Sequence, residues 1–235
     1  PTYIGFSFVI GNKAYFGRTQ YVGSLSRKCY EYDFTSNTWS PTQDFPGSLI
    51  IGPAFFTINN KGYLLGADNE TWEFDPSAAI KWTRKADYPG PHRRLAEGFS
   101  INGKGYLVNG RTSTDNNGVV TITYLRSLYE YNPGNNTWAV KASFPGAARE
   151  RSPSFVISSY GYVGGGNNFE ARFIDFYRYN PSDNSWLRIE DYNSAGIVQT
   201  CFSVHARGYA VWSDTWTSLI KMKKYTPRTC TPIFQ

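Results

Sequence analysis

The sequence predicts an all-β propeller, a ring of repeated four-stranded antiparallel sheets. Three observations indicate this fold class: tyrosines recur at a nearly fixed spacing, a common strand pattern follows the first four of them, and a tryptophan follows each such strand. The 235 residues include 22 Gly, 18 Tyr and 16 Phe but one Met, a composition that favours strands, turns and buried rings over helices. We expect a single domain over residues 1–235, because propellers of this length form one compact unit.

The recurring tyrosines define the repeat. A turn of the Lys-Gly-Tyr kind leads to each of them, and successive tyrosines are 48, 43, 56 and 47 residues apart: Tyr15, Tyr63, Tyr106, Tyr162 and Tyr209. A period of roughly 40 to 50 residues is typical of propeller blades and related repeats. The sequence therefore predicts five repeats, at about residues 1–47, 48–90, 91–146, 147–193 and 194–235.

The third strand of each unit is an aromatic-x-aromatic-[Asp/Asn] segment with the alternation of a half-buried strand. It occurs in the first four units, at 30–33, 72–75, 129–132 and 177–180. A tryptophan follows the second aromatic residue by seven or eight positions, at Trp39, Trp82, Trp138 and Trp186. We expect these recurring rings to pack between blades. The fifth unit lacks the tryptophan strand.

The complete unit consists of four short strands, which the third repeat shows most clearly. Its strands are expected at 99–101, 105–108, 128–132 and 137–142. Asn102-Gly103 separates the first two, a dipeptide favoured in two-residue hairpins, and Pro145-Gly146 ends the unit. Four-stranded units repeated radially make a β-propeller.

These residues resemble the kelch repeat, whose units carry a Tyr-x-Tyr-[Asp/Asn]-Pro third strand and an Asn-x-Trp fourth strand. The segments YEYNPGNNTWAVKASFPGAAR and FSINGKGYLVNG look like those of bacterial secreted kelch proteins. The family's double glycine survives only at Gly164–Gly166. The resemblance implies a kelch-type propeller whose repeats form a five-bladed ring or part of a six-bladed one. In a five-bladed ring, residues 229–234 would complete the last blade.

Composition also bears on location and redox chemistry. No apolar run approaches the roughly 18 residues needed to cross a bilayer, so we expect no membrane insertion. The chain starts at Pro1 without a charged-then-apolar leader, so any export signal would have been removed or not included. The resemblance favours a secreted or cell-surface location.

The three cysteines, Cys29, Cys201 and Cys230, allow at most one disulfide. The Cys201–Cys230 pairing is preferred because both residues fall in the last repeat.

The loop between the second and third strands varies in length from unit to unit. From the anchor tyrosine to the second aromatic residue of the third strand, the separations are 17, 11, 25, 17 and 16 residues. These loops emerge on the same face as the links between blades, because the chain reverses at each antiparallel turn. Variable loops on a rigid scaffold commonly carry function, so we expect a ligand at this rim.

Arginines are the most frequent charged residues of this rim, and the chain has a formal net charge of +6. Because a planar guanidinium binds carboxylates through paired hydrogen bonds, we expect an anionic ligand, either an acidic glycan or an acidic protein segment. Aromatic side chains of the same loops, including Tyr124 and Phe169, would stack on sugars or fill gaps under their loops. The expected ligand-binding residues are Arg18, Tyr21, Arg94, Arg111, Arg149, Arg151, Arg172, Trp212 and Trp216.

A structural alternative applies to two of these residues. Kelch units often place an arginine after the Pro-rich exit of a blade, where it can bind backbone carbonyls of the adjacent blade. Arg94 and Arg149 both follow such an exit. For these two positions the sequence leaves ligand binding and blade packing open.

The sequence favours a non-catalytic binding propeller over an enzyme. It has no Gly-x-Ser-x-Gly elbow and no Gly-rich phosphate loop that opens a helix. Its basic residues are scattered among the units, which does not favour nucleic acid as a partner. Galactose-oxidase-like kelch enzymes hold copper with two histidines, but His92 falls in a blade link and His205 in a turn of the opposite face, too far apart for one metal. We expect no cofactor.

One catalytic alternative stays open. Sialic-acid epimerases are another kelch-fold class, and an arginine-rich rim would suit their carboxylate substrate. A sugar epimerase or mutarotase needs a base, for which Glu97, Glu150 and His92 are the candidates. No sequence pattern pairs these three residues, and a fold alone does not specify a function, so binding stays the first expectation.

Overall fold

The computed structural model describes residues 4–21, 24–48, 51–191, 197–213 and 220–226. Over these ranges the chain forms five antiparallel sheets and one additional hairpin, and the single 3-10 turn at Ala67–Asn69 is the only helical segment. No helix in the described part is long and apolar enough to cross a membrane. The all-β propeller is confirmed, and each repeat forms one blade.

The first two blades follow the expected pattern of four strands. Blade 1 contains β1 (Ile4–Ile10), β2 (Lys13–Tyr21), β4 (Cys29–Asp33) and β5 (Thr38–Pro41), with the short β3 (Ser24–Leu25) paired to β2. Blade 2 contains β6 (Phe55–Ile58), β7 (Lys61–Leu65), β8 (Thr71–Phe74) and β9 (Trp82–Lys85).

The last three blades continue this order along the chain. Blade 3 contains β10 (Glu97–Ile101), β11 (Lys104–Val108), β14 (Leu128–Asn132) and β15 (Thr137–Lys141), and the hairpin of β12 (Arg111–Asn116) and β13 (Val119–Tyr124) is inserted between β11 and β14. Blade 4 contains β16 (Ser154–Ile157), β17 (Tyr160–Gly164), β18 (Phe176–Asn180) and β19 (Ser185–Arg188). The described strands of blade 5 are β20 (Ile197–Val204), β21 (Arg207–Ser213) and β22 (Ile220–Tyr225).

The first strand of each blade is the innermost and lies next to the propeller axis. β1 contacts β6, β6 contacts β10, β10 contacts β16, and β16 contacts β20. The blades therefore follow one another in chain order around a central channel. The blade links and the loops between second and third strands share one face, called the rim below, and the short turns between first and second strands lie on the other face.

The glycine of the Lys-Gly-Tyr motif allows neighbouring blades to approach closely. A Cβ on Gly105 would overlap the ring of Phe56, and a Cβ on Gly208 would overlap the ring of Phe155. Both phenylalanines belong to the innermost strand of the preceding blade and are buried. A side chain at the glycine position would thus separate the two sheets.

Three of the four recurring tryptophans join neighbouring blades as expected. In each case the indole Nε1 donates to a backbone carbonyl at the exit of the preceding blade, at 2.8 to 3.2 Å: Trp82 to Gln43, Trp138 to Ala86, and Trp186 to Ala142. Trp39 in blade 1 differs, because it is 61 % exposed and packs on Tyr32 of its own blade.

A cavity lies between described residues of blades 4 and 5. The cavity measures about 450 Å³ and is bounded by Ile157, Tyr162, Ile189 and Tyr225, among others. Tyr225 occupies the repeat position of Tyr179, whose ring packs against Trp186 in blade 4.

The strand expected at 229–234 lies outside the described residues. Cys230 of the expected Cys201–Cys230 disulfide also lies outside them, and Cys201 has a free thiol.

The long loop expected after β11 contains the inserted hairpin. Asn117 and Gly118 connect its strands with φ of 54° and 85°, the positive values of a type I′ turn. Asp115 Oδ1 accepts a hydrogen bond from the Gly118 N–H (2.8 Å) and stabilises the turn. The Asn-Gly pair between Thr- and Val-rich segments is the sequence signal for this hairpin.

Candidate functional site

The links between consecutive blades lie side by side at the rim. The Leu95 N–H donates to Gly52 O (2.9 Å), and the Arg151 N–H donates to Leu95 O (3.0 Å). These three residues occupy equivalent repeat positions, and Gly52, Leu95 and Arg151 have φ of 65°, 55° and 54°. The left-handed conformation costs free energy for the two residues that are not glycine. The contacts between links hold them there and fix the path of the chain into the channel.

Glu97 begins the innermost strand of blade 3 and lies among the innermost strands of the next two blades. Ser154 Oγ at the start of β16 donates to Glu97 Oε1 (3.0 Å). Burial raises the pKa of Glu97 to about 7, although the hydrogen bonds from Ser154 oppose this change. Burial, assisted by the charge of Glu97, raises the pKa of the Cys201 thiol on β20. A carboxyl group that is half-ionised at neutral pH can both accept and donate a proton.

The base of the β12–β13 hairpin is attached to the link before blade 3. Arg94 and Arg111 exchange two backbone hydrogen bonds, of 2.9 and 3.0 Å. Arg94 Nη2 also donates to Ser113 Oγ (3.3 Å), whereas Arg94 Nε is buried without a hydrogen-bond partner among the described residues. A buried donor without a partner is costly.

Glu150 places a second incompletely bonded group beside Arg111. Its side chain is 6 % exposed, and Oε2 lies 2.8 Å from Arg111 Nε. This ion pair lacks hydrogen-bond geometry, so Oε2 is an acceptor without a donor within the described part of the chain. Arg151 Nε lies 4.0 Å from the other oxygen, Oε1. The rim site is defined here as Arg94, Glu97, Arg111, Glu150 and Arg151, three guanidinium groups with two carboxyl groups.

His92, the third candidate base, interacts with blade 2 instead. The Asp68 N–H donates to His92 Nδ1 (3.3 Å). Burial, together with the positive charge of Arg94, lowers the pKa of His92, so the imidazole is neutral at pH 7. His205 lies in the turn between β20 and β21, on the face opposite the rim, as expected.

Arg149 is a structural residue, and the expectation that it binds a ligand is corrected. Its side chain is fully buried and forms a two-fold ion pair with Asp175, at 2.5 and 3.0 Å. The guanidinium group also lies against the rings of Phe144 and Phe173. A group enclosed and bonded in this way leaves no position for a ligand.

Arg93, and not Arg94, is the repeat equivalent of Arg149. Arg93 is buried, and its guanidinium group donates to Asn109 O (2.9 Å) and Ser127 Oγ (2.8 Å). The structural alternative therefore applies to Arg93 and Arg149. Arg94, one position further along the chain, belongs to the rim site.

The other expected residues are only partly described. Arg111 and Arg151 are in the rim site, and Arg172 is exposed on a loop where its backbone pairs with Asn167. The side chains of Arg18, Tyr21 and Trp212, and all of Trp216, lie outside the described residues, so their ligand contacts stay predictions.

Two polar partners in the site were not identified from sequence. Ser113 and Ser154 are single small residues without a motif around them. Their function depends on contacts with Arg94 and Glu97 of another segment, and sequence spacing alone does not report such contacts.

Comparison with known proteins identifies a fold and a class of enzyme relatives. No family model matches the chain. N-acetylneuraminate epimerases from Salmonella enteritidis PT4 and Salmonella typhi are 33 % identical over 101 residues, which covers 38 % of this chain and 26 % of theirs. That of Shigella flexneri serotype 5b is 36 % identical over 73 residues, covering 29 % of this chain and 20 % of its own. The match thus spans about a quarter of the relatives' length.

The solved structure of YjhT superimposes with a TM-score of 0.71 over 89 % of this chain and 72 % of YjhT, at 13 % sequence identity. This similarity confirms the kelch-like propeller fold. The expectation of a non-catalytic binding propeller is wrong, because the curated relatives are named as enzymes. The comparisons favour the epimerase alternative.

Proposed function

We propose that this kelch-like propeller carries the active site of a sugar-acid epimerase or mutarotase that acts on a sialic acid, with Glu97 as its acid–base group. The observation that carries the proposal is the environment of Glu97, which accepts a hydrogen bond from Ser154 on β16, acts on Cys201 on β20, and has its pKa raised by burial to about 7. Relatives named N-acetylneuraminate epimerase support the substrate class.

The chemistry of anomer interconversion requires one proton to move in two steps. Ionised Glu97 takes the proton of the anomeric hydroxyl, and the bond between the anomeric carbon and the ring oxygen breaks with its electron pair going to that oxygen. Protonated Glu97 then gives the proton to the ring oxygen, and the open chain carries a 2-oxo group. The open chain then rotates about a single bond next to the 2-oxo group. The reverse steps close the ring on the other face of that group. A group with a pKa near the working pH is the best catalyst for both transfers.

The arginines of the rim site supply the contacts for the carboxylate of the substrate. The side chains of Arg151 and Arg111 are accessible to a ligand, at 55 % and 27 % exposed. Guanidinium groups bind carboxylates in a fixed, two-point geometry, which would hold the anomeric carbon in one place.

The test is the rate of anomer exchange of N-acetylneuraminate, measured by NMR magnetisation transfer with and without the protein. We expect the wild type to accelerate the exchange and Glu97→Gln to lower that rate by about a hundredfold or more, the usual contribution of a positioned acid–base group. Glu190→Gln, a change of the same kind at a side chain that is 68 % exposed in blade 4, should retain the wild-type rate. Absence of any acceleration by the wild type would contradict the proposed function.

A further inference from the structure

A groove beside the rim site is bounded by the hairpin on one side and a loop of blade 4 on the other. Its volume is about 420 Å³, and its lining residues are Ile122, Tyr124, Ala148, Asn168, Phe169 and Glu170. We call it the hairpin groove. Its size falls in the range of small-molecule sites, and its lining combines apolar and aromatic side chains with a few polar groups, as in such sites generally.

Phe169 is exposed in this groove although its loop is well ordered by hydrogen bonds. The side chain is 92 % exposed. Asn168 Oδ1 accepts from the N–H groups of Glu170 and Ala171 (2.9 Å each), and the Asn168 N–H donates to Ala171 O (2.9 Å). Asn168 Nδ2 donates to Ala148 O (3.3 Å) and ties the loop to the blade link. The loop thus holds the Phe169 ring at the groove, where a ligand can reach it.

The hairpin groove is continuous with the rim site through one face of the hairpin. Arg111 pairs with Tyr124, and Ser113 pairs with Ile122. Residues directly opposite in an antiparallel pair project from the same face. Arg111 and Ser113 contact Glu150 and Arg94 of the rim site, while Tyr124 and Ile122 line the groove.

We propose that the hairpin groove binds the neutral end of the sugar acid, its N-acyl group and hydroxylated side chain, while the carboxylate lies at the rim-site arginines. This inference rests on the proposed function. Charge decides the orientation, because Glu170 repels a carboxylate but accepts hydrogen bonds from hydroxyl groups. The rings of Tyr124 and Phe169 offer faces to the N-acyl methyl group and the sugar carbons. The groove therefore selects sugar acids with a long neutral arm.

The test measures binding separately from catalysis. The probe is the methyl α-glycoside of N-acetylneuraminate, which keeps both ends of the substrate but cannot open its ring. Titration by saturation-transfer NMR should show contact of the N-acetyl methyl group with the protein, and Phe169→Ala should weaken binding by about tenfold, as expected for loss of one aromatic contact. Pyruvate, which carries only the 2-oxo acid, should bind wild type and variant equally.

Phe34→Ala is the matched control, since Phe34 is an exposed phenylalanine of blade 1 that packs on Tyr32, and it should bind the glycoside like the wild type. Equal affinity of wild type and Phe169→Ala for the glycoside would overturn the groove assignment. An equal loss of pyruvate binding would overturn it too, because the effect would then not be specific to the neutral end. Neither result would contradict the proposed function, because only the rate of anomer exchange tests that function.

Discussion

Single residues of this propeller show how position within the repeat separates packing from function. Arg93 and Arg149 occupy the same repeat position and are buried between aromatic rings. Arg94 comes one residue after Arg93, and Arg151 comes two residues after Arg149. These two later arginines belong to the rim site. The sequence identifies all four as arginines near a blade exit. Only the packing of adjacent blades tells which guanidinium groups are enclosed.

Removal of the buried arginine should destabilise the fold. Arg149→Met would leave Asp175, whose side chain is 16 % exposed, without its ion-pair partner, and we expect a loss of about 3 kcal/mol in the free energy of unfolding. Urea unfolding followed by tryptophan fluorescence measures the loss. Arg188→Met removes an arginine from an exposed pair with Asp191 and should cost less than about 1 kcal/mol. Equal losses in the two variants would contradict the structural function of Arg149.

At the scale of elements, the strand pattern was predictable because it repeats. The expected 105–108, 128–132 and 137–142 agree with β11, β14 and β15 to within a residue, while β10 begins two residues before the expected 99. Those two residues include Glu97, whose neighbour Gly98 interrupts the apolar alternation. Among the described residues, the β12–β13 hairpin occurs in blade 3 alone, so the repeat carries no signal for it, and its Asn-Gly turn is the one local feature that indicates it.

The glycine of the Lys-Gly-Tyr motif allows a prediction about the packing of neighbouring blades. Gly105→Ala would place a Cβ inside the ring of Phe56, and we expect a loss of about 1 to 3 kcal/mol from overpacking. Gly134→Ala is the matched control, because its Cβ would meet only Asn132 Oδ1, at 3.3 Å. Thermal unfolding of the two variants compares them directly. A Gly105→Ala variant as stable as Gly134→Ala would show that the blades are less closely packed than described.

For the whole molecule, the sequence predicted the architecture better than the site. The repeat identifies five blades and the face that carries variable loops, because both depend on local spacing. The rim site takes Arg94 and Glu97 from the start of one blade, Arg111 from its inserted hairpin, and Glu150 and Arg151 from the following link. Glu97 was a candidate base in the sequence, but its raised pKa depends on burial among three innermost strands. The preference for binding over catalysis failed because no sequence pattern joins these residues.

The pH dependence of N-acetylneuraminate anomer exchange tests the central claim most directly. After subtraction of the uncatalysed rate, we expect catalysis by the wild type to rise with pH and level off, with a midpoint near the Glu97 pKa of about 7, because the carboxylate form begins the reaction. Glu97→Gln should lose the catalysed rate and its pH dependence, while binding of the methyl glycoside persists. A wild-type profile that is flat between pH 5 and 9, or one that Glu97→Gln reproduces, would contradict the assignment of Glu97 as the acid–base group.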